Sequence, residues 1–593
     1  MFLKNKIMNP PLKLICYTLQ AKIHHQISFI IYLSIFFCFL LFYTTVSCGQ
    51  NPNCYRITFS DKNDTPYAIE RPDEFLSPRA IAKRERFNIP IKIQDLPVNP
   101  HYIDSVLNFS NVPSQIISKS KWDNSVVIFY PDTENCRSII GKMLSHFSFV
   151  VDTLPVAYFK LPIAPSFLTY SQTLSPFVYS SSSCDYDYGK SIDHIKLHKG
   201  ESLHKAGFCG EEMLICVIDA GWEGFDTISY FKHLYENGQI WGTRDFIPEV
   251  NNVYLGTGAG HGTAVTSMMA SAIEGQLIGS APKANYFFLR IDSPWGKLNL
   301  VEEDFWAFAA EIADSLGADI VNSSVGFQDK VGYEWQNIYT PDNNDGISSI
   351  SSSAASLLAQ KGVITVQAAG NAGNEKWHYI CRPADAFNIL TVGGTYKNGV
   401  ATNYSSYGPT ADGRIKPDVA ALSSSVWGIT AQGKIWYGDG HTSAAAPIIA
   451  GLSACLWQAL PQYSSIELMD FIRSYGDRAN NPDDRTGYGV PNFYQCYLDH
   501  YIGIQEKKMP SVLVYPNPTT REIQITSYEL QVMKVEVLDI YGRKQKVECN
   551  SYDLTPESSS GVISYSLSNL SAGIYFVQIQ TEKGKLIKKI VKY

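Results

Sequence analysis

Leu214-Ile215-Cys216-Val217-Ile218-Asp219-Ala220-Gly221, "LICVIDAG", decides the fold. Apolar residues run without a break into an aspartate and a glycine. A strand with one wet face alternates apolar and polar residues. An unbroken apolar run suits a strand covered on both faces, as in a parallel sheet. Four more stretches share this build: "ANYFFLRI" from Ala284, "ADIVNSSVG" from Ala318, "GVITVQAAGN" from Gly362 and "NILTVGG" from Asn388. Helix candidates lie between them, "EEDFWAFAAEIADSLG" and "SISSSAASLLAQKG". Strand and helix in alternation predict an α/β domain. Ligands in such sheets bind just beyond the C-terminal strand ends, where the polar residues of these runs fall.

Outward from this core the character changes twice. Residues 50–165 read as a small α+β module. "YRITFS" and "SVVIFY" look like strands, and "SPRAIAKRERF" looks like a basic helix behind a Ser-Pro start. Residues 166–190 are rich in Ser and Tyr and read as a linker. The α/β domain spans 191–500, and a short linker covers 501–509. Residues 510–593 alternate apolar and polar and are punctuated by Pro-Asn-Pro and Tyr-Gly turns. They predict a small antiparallel β-sandwich.

At the other end, Lys4, Lys6, Lys13 and Lys22 precede an apolar run from Ile27 to Val46, with no acid before Asp61. This reads as an export signal over residues 1–49. The competing reading is a retained anchor, since about 20 apolar residues can span a bilayer. "TVSC" faintly resembles a lipoprotein signal ending at Cys48, but Thr45 stands where an aliphatic residue is usual. Export permits disulfides. Nine cysteines follow Cys48, none at Cys-x-x-Cys spacing, which argues against a zinc site; their pairing is not legible. Cys216 and Cys455 lie in apolar runs and read as buried thiols. The net charge of -7 gives no electrostatic case for nucleic acid.

Four residues carry candidate chemistry. Asp219 ends its strand and either orients a partner side chain or caps a turn. His261, in "GAGHGTAVTSMMASA", opens a small-residue helix that can face a cleft; a structural histidine is the alternative. Asn371 ends "GVITVQAAGN" and can donate to an oxyanion or simply close a turn. Ser443, in "GDGHTSAAAP", starts an apolar helix, with Pro447 expected in its first turn. It is either an N-cap or a nucleophile in need of a base.

Together they stand in the order Asp, His, Asn, Ser, the triad order of the subtilisins. Over 190–500 the chain resembles the subtilases, through "VIDAG", "GHGTAV", "AAGN" and "HTSAAAP", with support from "ADIVNSSVG" and "YGPTADGRIKPDVAA". The resemblance implies a subtilisin-like fold, a mostly parallel sheet with helices on both faces. It implies Ser443 as nucleophile, His261 as general base and Asp219 as its orienting carboxylate. Asn371 and the Ser443 backbone N–H would form the oxyanion hole. Ser324, Val325 and Gly326, with Ala368, Ala369 and Gly370, would flank substrate. No acid stands in those runs, which points to apolar or aromatic side chains before the scissile bond. No cofactor is needed for such chemistry. Calcium is common in the family, but no convincing ligand run is present, and no metal site is assigned.

Residues 50–165 occupy the place of a subtilase propeptide and look like the Bacteroidetes-type module. The C-terminal "VYPNPTTREIQI" through "GIYFVQIQTEKGKLIKKIVKY" resembles a type IX secretion sorting domain. A substrate-binding β-sandwich is the alternative. The implied protein is a monomeric, secreted or outer-membrane-surface zymogen, exported through the periplasm. Its partners would be protein or peptide substrates and the type IX machinery, with no nucleic acid. Three positions depart from the family pattern. Ala220 replaces Ser or Thr, Ala444 replaces Met, and His441 replaces a Gly whose backbone freedom matters. His441 keeps a second reading open, a catalytically impaired subtilase acting as a surface or binding protein. An α/β-hydrolase esterase is disfavoured, because the Gly-x-Ser-x-Gly elbow is absent and the triad order differs.

Overall fold

The computed structural model describes residues 52–131, 135–158, 169–170, 184–247, 252–256, 258, 260–292, 300–328, 339–501, 512–528, 532–540, 542–553, 560–581 and 584–593. The signal segment, Cys48 and most of 166–190 lie outside these. The chain divides between His500 and Tyr501 into two units, each taken by itself. Among the described residues no helix is long and apolar enough to cross a membrane.

The N-terminal module is a four-stranded antiparallel sheet with helices. Its elements are β1 (Cys54–Phe59), α1 (Pro78–Arg86), α2 (Pro100–Leu107), β2 (Gln115–Ser120), β3 (Ser125–Phe129), α3 (Cys136–His146) and β4 (Val150–Ala157). The strand order is β2-β3-β1-β4. α1 begins as its Ser-Pro start predicts: Ser77 Oγ accepts from the Ala80 N–H at 3.1 Å, and Pro78 fills the first position. Both faces of the sheet are covered. Successive side chains on a strand point to opposite faces. Val126 and Ile128 therefore join Tyr55, Ile57 and Phe59 in a core with α2 and α3. Val127 and Phe129, with Cys54 and Trp122, point the other way into the core of the α/β domain.

That domain is built on β5 (Thr169–Tyr170), β6 (Leu214–Asp219), β7 (Ile240–Asp245), α4 (His261–Ala270), β8 (Asn285–Arg290), α5 (Val301–Leu316), β9 (Ile320–Ser323), α6 (Ile350–Gln360), β10 (Ile364–Ala368), β11 (Leu390–Thr395) and β12 (Val419–Leu422). The sheet order is β12-β11-β10-β9-β6-β8-β7-β5. Seven strands are parallel; the two-residue β5 adds antiparallel to β7. Every residue of β6, β8, β9, β10, β11 and β12 is buried, as their unbroken apolar runs predict. A hairpin of β13 (Val426–Ile429) and β14 (Ile435–Gly438) leads into α7 (His441–Ala459), and α8 (Ser465–Ser474) and α9 (Phe493–His500) follow. α4 and α7 pack together, and α7 runs across β6 and β9 to β12; α5 and α6 pair with each other on the opposite face. α7 is buried almost all round, as its small apolar residues require.

One local expectation is corrected. α7 starts at His441, not Ser443, so Pro447 sits inside the helix instead of in its first turn. The Ala444 N–H already bonds Gly440 O at 3.1 Å and closes the first turn two residues early.

The N-terminal module docks on α5 and its neighbours through opposite charges. Arg56 pairs with Asp304 (2.9 Å). Arg84 bridges Asp95 (3.1 Å) and Asp314 (2.8 Å), Lys121 also reaches Asp314, and Arg79 pairs with Asp319. Lys361 of the α/β domain answers with Asp95 at 2.7 Å. At the centre the Glu311 carboxylate accepts from Ser120 Oγ (2.6 Å), Lys121 N (2.8 Å) and Trp122 N (3.0 Å). Complete burial pushes Glu311 up to about 7, although the Lys121 charge and these hydrogen bonds oppose the shift.

The second unit holds β15 (Val512–Tyr515), β16 (Glu522–Tyr528), β17 (Val532–Asp539), β18 (Lys544–Gln545), β19 (Glu548–Asp553), β20 (Ser560–Ser566), β21 (Gly573–Thr581) and β22 (Gly584–Lys592). They form two antiparallel sheets, β15-β16-β20-β19 and β18-β17-β21-β22. Ile523, Ile525, Val537, Ile563, Val577, Ile579 and Ile590 fill its core.

Candidate active site

The order of the parallel sheet reverses at β6. The chain leaves β6 for β7 and β8 on one side, then returns to β9 on the other. A crevice opens at such a switch point, outside the C-terminal strand ends. Asp219 ends β6 there. Ser324 follows β9, whose Ser323 is in register with Ile218. Asn371 lies three residues past β10. The N-termini of α4 and α7 add His261 and Ser443.

Asp219 is fully buried, and its Oδ1 meets His261 Nδ1 at 2.7 Å. The Ala220 N–H donates to the same oxygen at 2.7 Å. Oδ2 has no protein partner, and the methyl group of Ala220 offers none. The imidazole side chain is 41% exposed, so its far edge is open to the crevice. Burial works against the imidazolium, but the Asp219 charge and hydrogen bond, with Asp292 behind them, raise the His261 pKa above its ordinary value. Gly262 is required by a close approach. A Cβ there would stand 2.7 Å from Gly221 O and 2.8 Å from the Trp222 ring.

Ser443 is the third residue of α7. Its hydroxyl donates to Ser324 O at 3.2 Å, and not to the imidazole. Its carbonyl accepts from Ser324 Oγ at 3.1 Å. Thr442 fixes the neighbouring loop. Its N–H (3.0 Å) and hydroxyl (2.8 Å) both donate to Asn371 Oδ1. A backbone N–H can only donate, so the oxygen of the Asn371 amide faces Thr442 and the NH₂ faces away. The Ser443 N–H lies in the first helical turn, where the helix supplies no acceptor. Gly370 has φ +105°, which turns the chain out of β10 and is open to glycine.

Of the predicted residues, Asp219 and His261 are bonded, Ser443 and Ser324 are bonded, and Asn371 is tied to Ser443's neighbour. Val325 and Gln367 connect the two flanking runs, Gln367 Nε2 to Val325 O at 2.7 Å. Ala368 and Ala369 are buried. His441 stands at φ +55°, in the left-handed region, with its ring tilted on Tyr404 at 4.6 Å between centroids. The sequence reading missed Thr442, Asp292 and Tyr404. Thr442 stands next to Ser443 in "HTS", and Asp292 follows β8, whose Arg290 is in register with Asp219. Tyr404 carries no local signal. Among the described residues no group of three or more His, Cys, Asp or Glu is placed to hold a metal ion.

Comparison with known proteins gives three domain matches: the subtilase family over residues 210–489, the Bacteroidota peptidase S8 propeptide domain over 54–162, and the secretion system C-terminal sorting domain over 513–593. Subtilisin NAT of Bacillus subtilis subsp. natto is 22% identical over 386 residues, 62% of this chain and 88% of its own. Subtilisin Savinase of Lederbergia lenta is 26% identical over 276 residues, 46% of this chain and 86% of its own. Among solved structures, the epidermin leader peptide processing serine protease of Staphylococcus aureus aligns with a TM-score of 0.49 and 15% identity, over 77% of this chain and all of that one.

Proposed function

For a subtilase-family serine peptidase that carries a propeptide domain and a sorting domain, we propose an exported endopeptidase made as a zymogen, with Ser443, His261 and Asp219 as its triad. The observation that carries this reading is the 2.7 Å contact between the buried Asp219 carboxylate and His261 Nδ1, which leaves Nε2 toward the crevice.

Attack begins when the Ser443 hydroxyl leaves Ser324 O and turns to His261 Nε2. The imidazole takes the proton, and Oγ attacks the peptide carbonyl. Asp219 holds the tautomer and stabilises the imidazolium, which then protonates the leaving amine. Water repeats the sequence on the acyl-enzyme. Charge develops on the carbonyl oxygen between the Ser443 N–H and the Asn371 NH₂, which Thr442 orients beforehand. The runs Ser324–Gly326 and Ala368–Gly370 flank the substrate. Cys381, Ile380 and Ala384 form a buried apolar cluster with Ala369, which supports an apolar side chain before the scissile bond. In this reading residues 50–165 are the propeptide module, 191–500 the peptidase domain and 510–593 the sorting domain. The sorting domain supports type IX export, to the cell surface or beyond.

Fluorophosphonate labelling of the processed protein tests the proposal. Ser443 is expected to carry the label, Ser443→Ala to abolish casein hydrolysis, and Asn371→Leu to cost about 10²–10³ in kcat, the loss known for one such donor in a subtilisin. No labelling, with Ser443→Ala indistinguishable from the unaltered protein, would sink it. The left-handed His441 favours a second reading, a catalytically impaired binding protein. Its signature is a large gain in activity on His441→Gly.

A further inference from the structure

We infer that the open edge of β22, the last strand of the sorting unit, is a docking strip for an extended acidic segment of a partner protein, bound as one more strand. The inference deepens the export reading and rests on it for its setting; the edge geometry stands by itself.

β22 ends the sheet order β18-β17-β21-β22, so only β21 pairs with it inside the sheet. In an antiparallel ladder, residues whose N–H and C=O meet the partner strand alternate with residues whose groups face away. The bonds to a neighbouring segment show which are which. The Val591 N–H donates to Asn517 Oδ1 at 2.9 Å, and Val591 O accepts from the Thr519 N–H at 2.8 Å. Lys589 O accepts from Asn517 Nδ2 at 2.8 Å, and the Tyr593 N–H donates to Thr519 O at 2.9 Å. The odd-numbered positions therefore face outward. The segment Pro516–Thr519 covers the last of them, with the Asn517 amide standing where a strand would. The register of β22 on β21 runs without a shift from Lys592 to Gly584. The Lys589 N–H and both backbone groups of Ile587 thus face outward too, and among the described residues nothing pairs with them.

An open edge is a template for a further strand. Its chemistry narrows the occupant. β22 carries four lysines and no acid. On its outward-numbered positions Lys589 is exposed and Ile587 is 56% exposed. A second copy does not fit. Two copies paired antiparallel about Ile587 would set Lys585 opposite Lys589, and like charges directly opposite are destabilising. Edge lysines turn away basic strands for the same reason. An acidic strand meets the opposite sign. The occupant that fits places a β-branched residue opposite Ile587 and an acid two places along, opposite Lys589.

The experiment titrates the purified full chain, treated with fluorophosphonate so that the probe is not cut, with the fluorescein-labelled peptide Thr-Glu-Thr-Val-Thr-Glu-Thr. Fluorescence anisotropy reads binding, and hydrogen exchange by mass spectrometry reads its place. The expected result is saturable binding that slows exchange over residues 584–589 and leaves 590–593, already held by the Asn517 segment, unchanged. The same peptide with Lys for both Glu should not bind. Ile587→Pro removes the outward N–H and leaves the β21 ladder intact, which an edge strand tolerates; it should weaken binding by about tenfold. Lys589→Glu leaves the backbone untouched and should weaken it by about fivefold. Thermal melts check that both variants fold. No binding at any soluble concentration, equal binding of the lysine peptide, or an affinity that neither variant changes overturns the proposal. So does self-association of the chain that Ile587→Pro abolishes. Because the probe is added to purified protein, failure of export is a separate outcome: a chain found only inside the cell, yet binding the acidic peptide, counts against export and for the strip.

Discussion

Ser324 Oγ donates to the carbonyl of Ser443 at 3.1 Å, in the place of the helical N–H that Pro447 lacks. A proline inside a helix leaves the carbonyl four residues back without its partner, and here that carbonyl belongs to the proposed nucleophile. Ser324→Ala strands it in a buried site, which costs about 1–3 kcal/mol. Pro447→Ala restores a helical donor, so Ser324→Ala should cost clearly less in that background. A double-mutant cycle on urea midpoints reads the difference. Equal costs in both backgrounds would show that the two residues are not linked.

The Asp219 contact sets a pH dependence. The raised pKa of His261 means the imidazole is still protonated somewhat above its ordinary value, near 6.5. A general base works deprotonated, so kcat/KM should rise with pH through a midpoint above about 6.5. Asp292→Asn removes one of the raising charges without touching Asp219, and should move the midpoint down. A midpoint at or below 6.5 in the unaltered protein contradicts this account.

Propeptide release should depend on pH through Glu311. Docked, its carboxyl is held up at about 7 by burial; uncovered, it returns toward about 4.3. The docked state therefore binds a proton more readily. Binding of the isolated module to the peptidase should be tightest at low pH and weaken as pH rises between these values, by at most tenfold per unit. Glu311→Gln should flatten the curve. Affinity that strengthens over this range would reverse the sign and refute the assignment.

His441→Gly should change little. A left-handed L-residue costs about 1–2 kcal/mol. Glycine avoids that cost but adds entropy to the unfolded chain and loses the Tyr404 contact. Stability is expected to move by less than about 1 kcal/mol, and kcat/KM by less than about threefold. Thermal melts and casein assays check both.

The sheet was legible because its strands are buried on both faces. "LICVID" has no reason to alternate where no side faces water. β7, the outermost of the parallel strands, escaped because "IWGTRD" is partly exposed and mixes polar with apolar residues. The candidate site was legible where polar residues end apolar runs, as Asp219 and Asn371 do. It was illegible where tertiary approach supplies the partner. Nothing near Tyr404 points to His441, and nothing in "AAAPIIAG" says that Ser324 completes the bond Pro447 breaks. The hydrogen bond from the Ser443 hydroxyl to Ser324 O is likewise a matter of rotamer, not of residue type.

The acids that receive the N-terminal module have a life after it departs. Arg56, Arg79, Arg84 and Lys121 neutralise Asp304, Asp319 and Asp314 only while the module is docked. Cleavage and release leave these acids on the peptidase and carry the cations away. Maturation thus becomes a change of ionic character as well as of accessibility. An anion-exchange column should hold the free peptidase longer than the complex, and a salt gradient would read out processing with no substrate present.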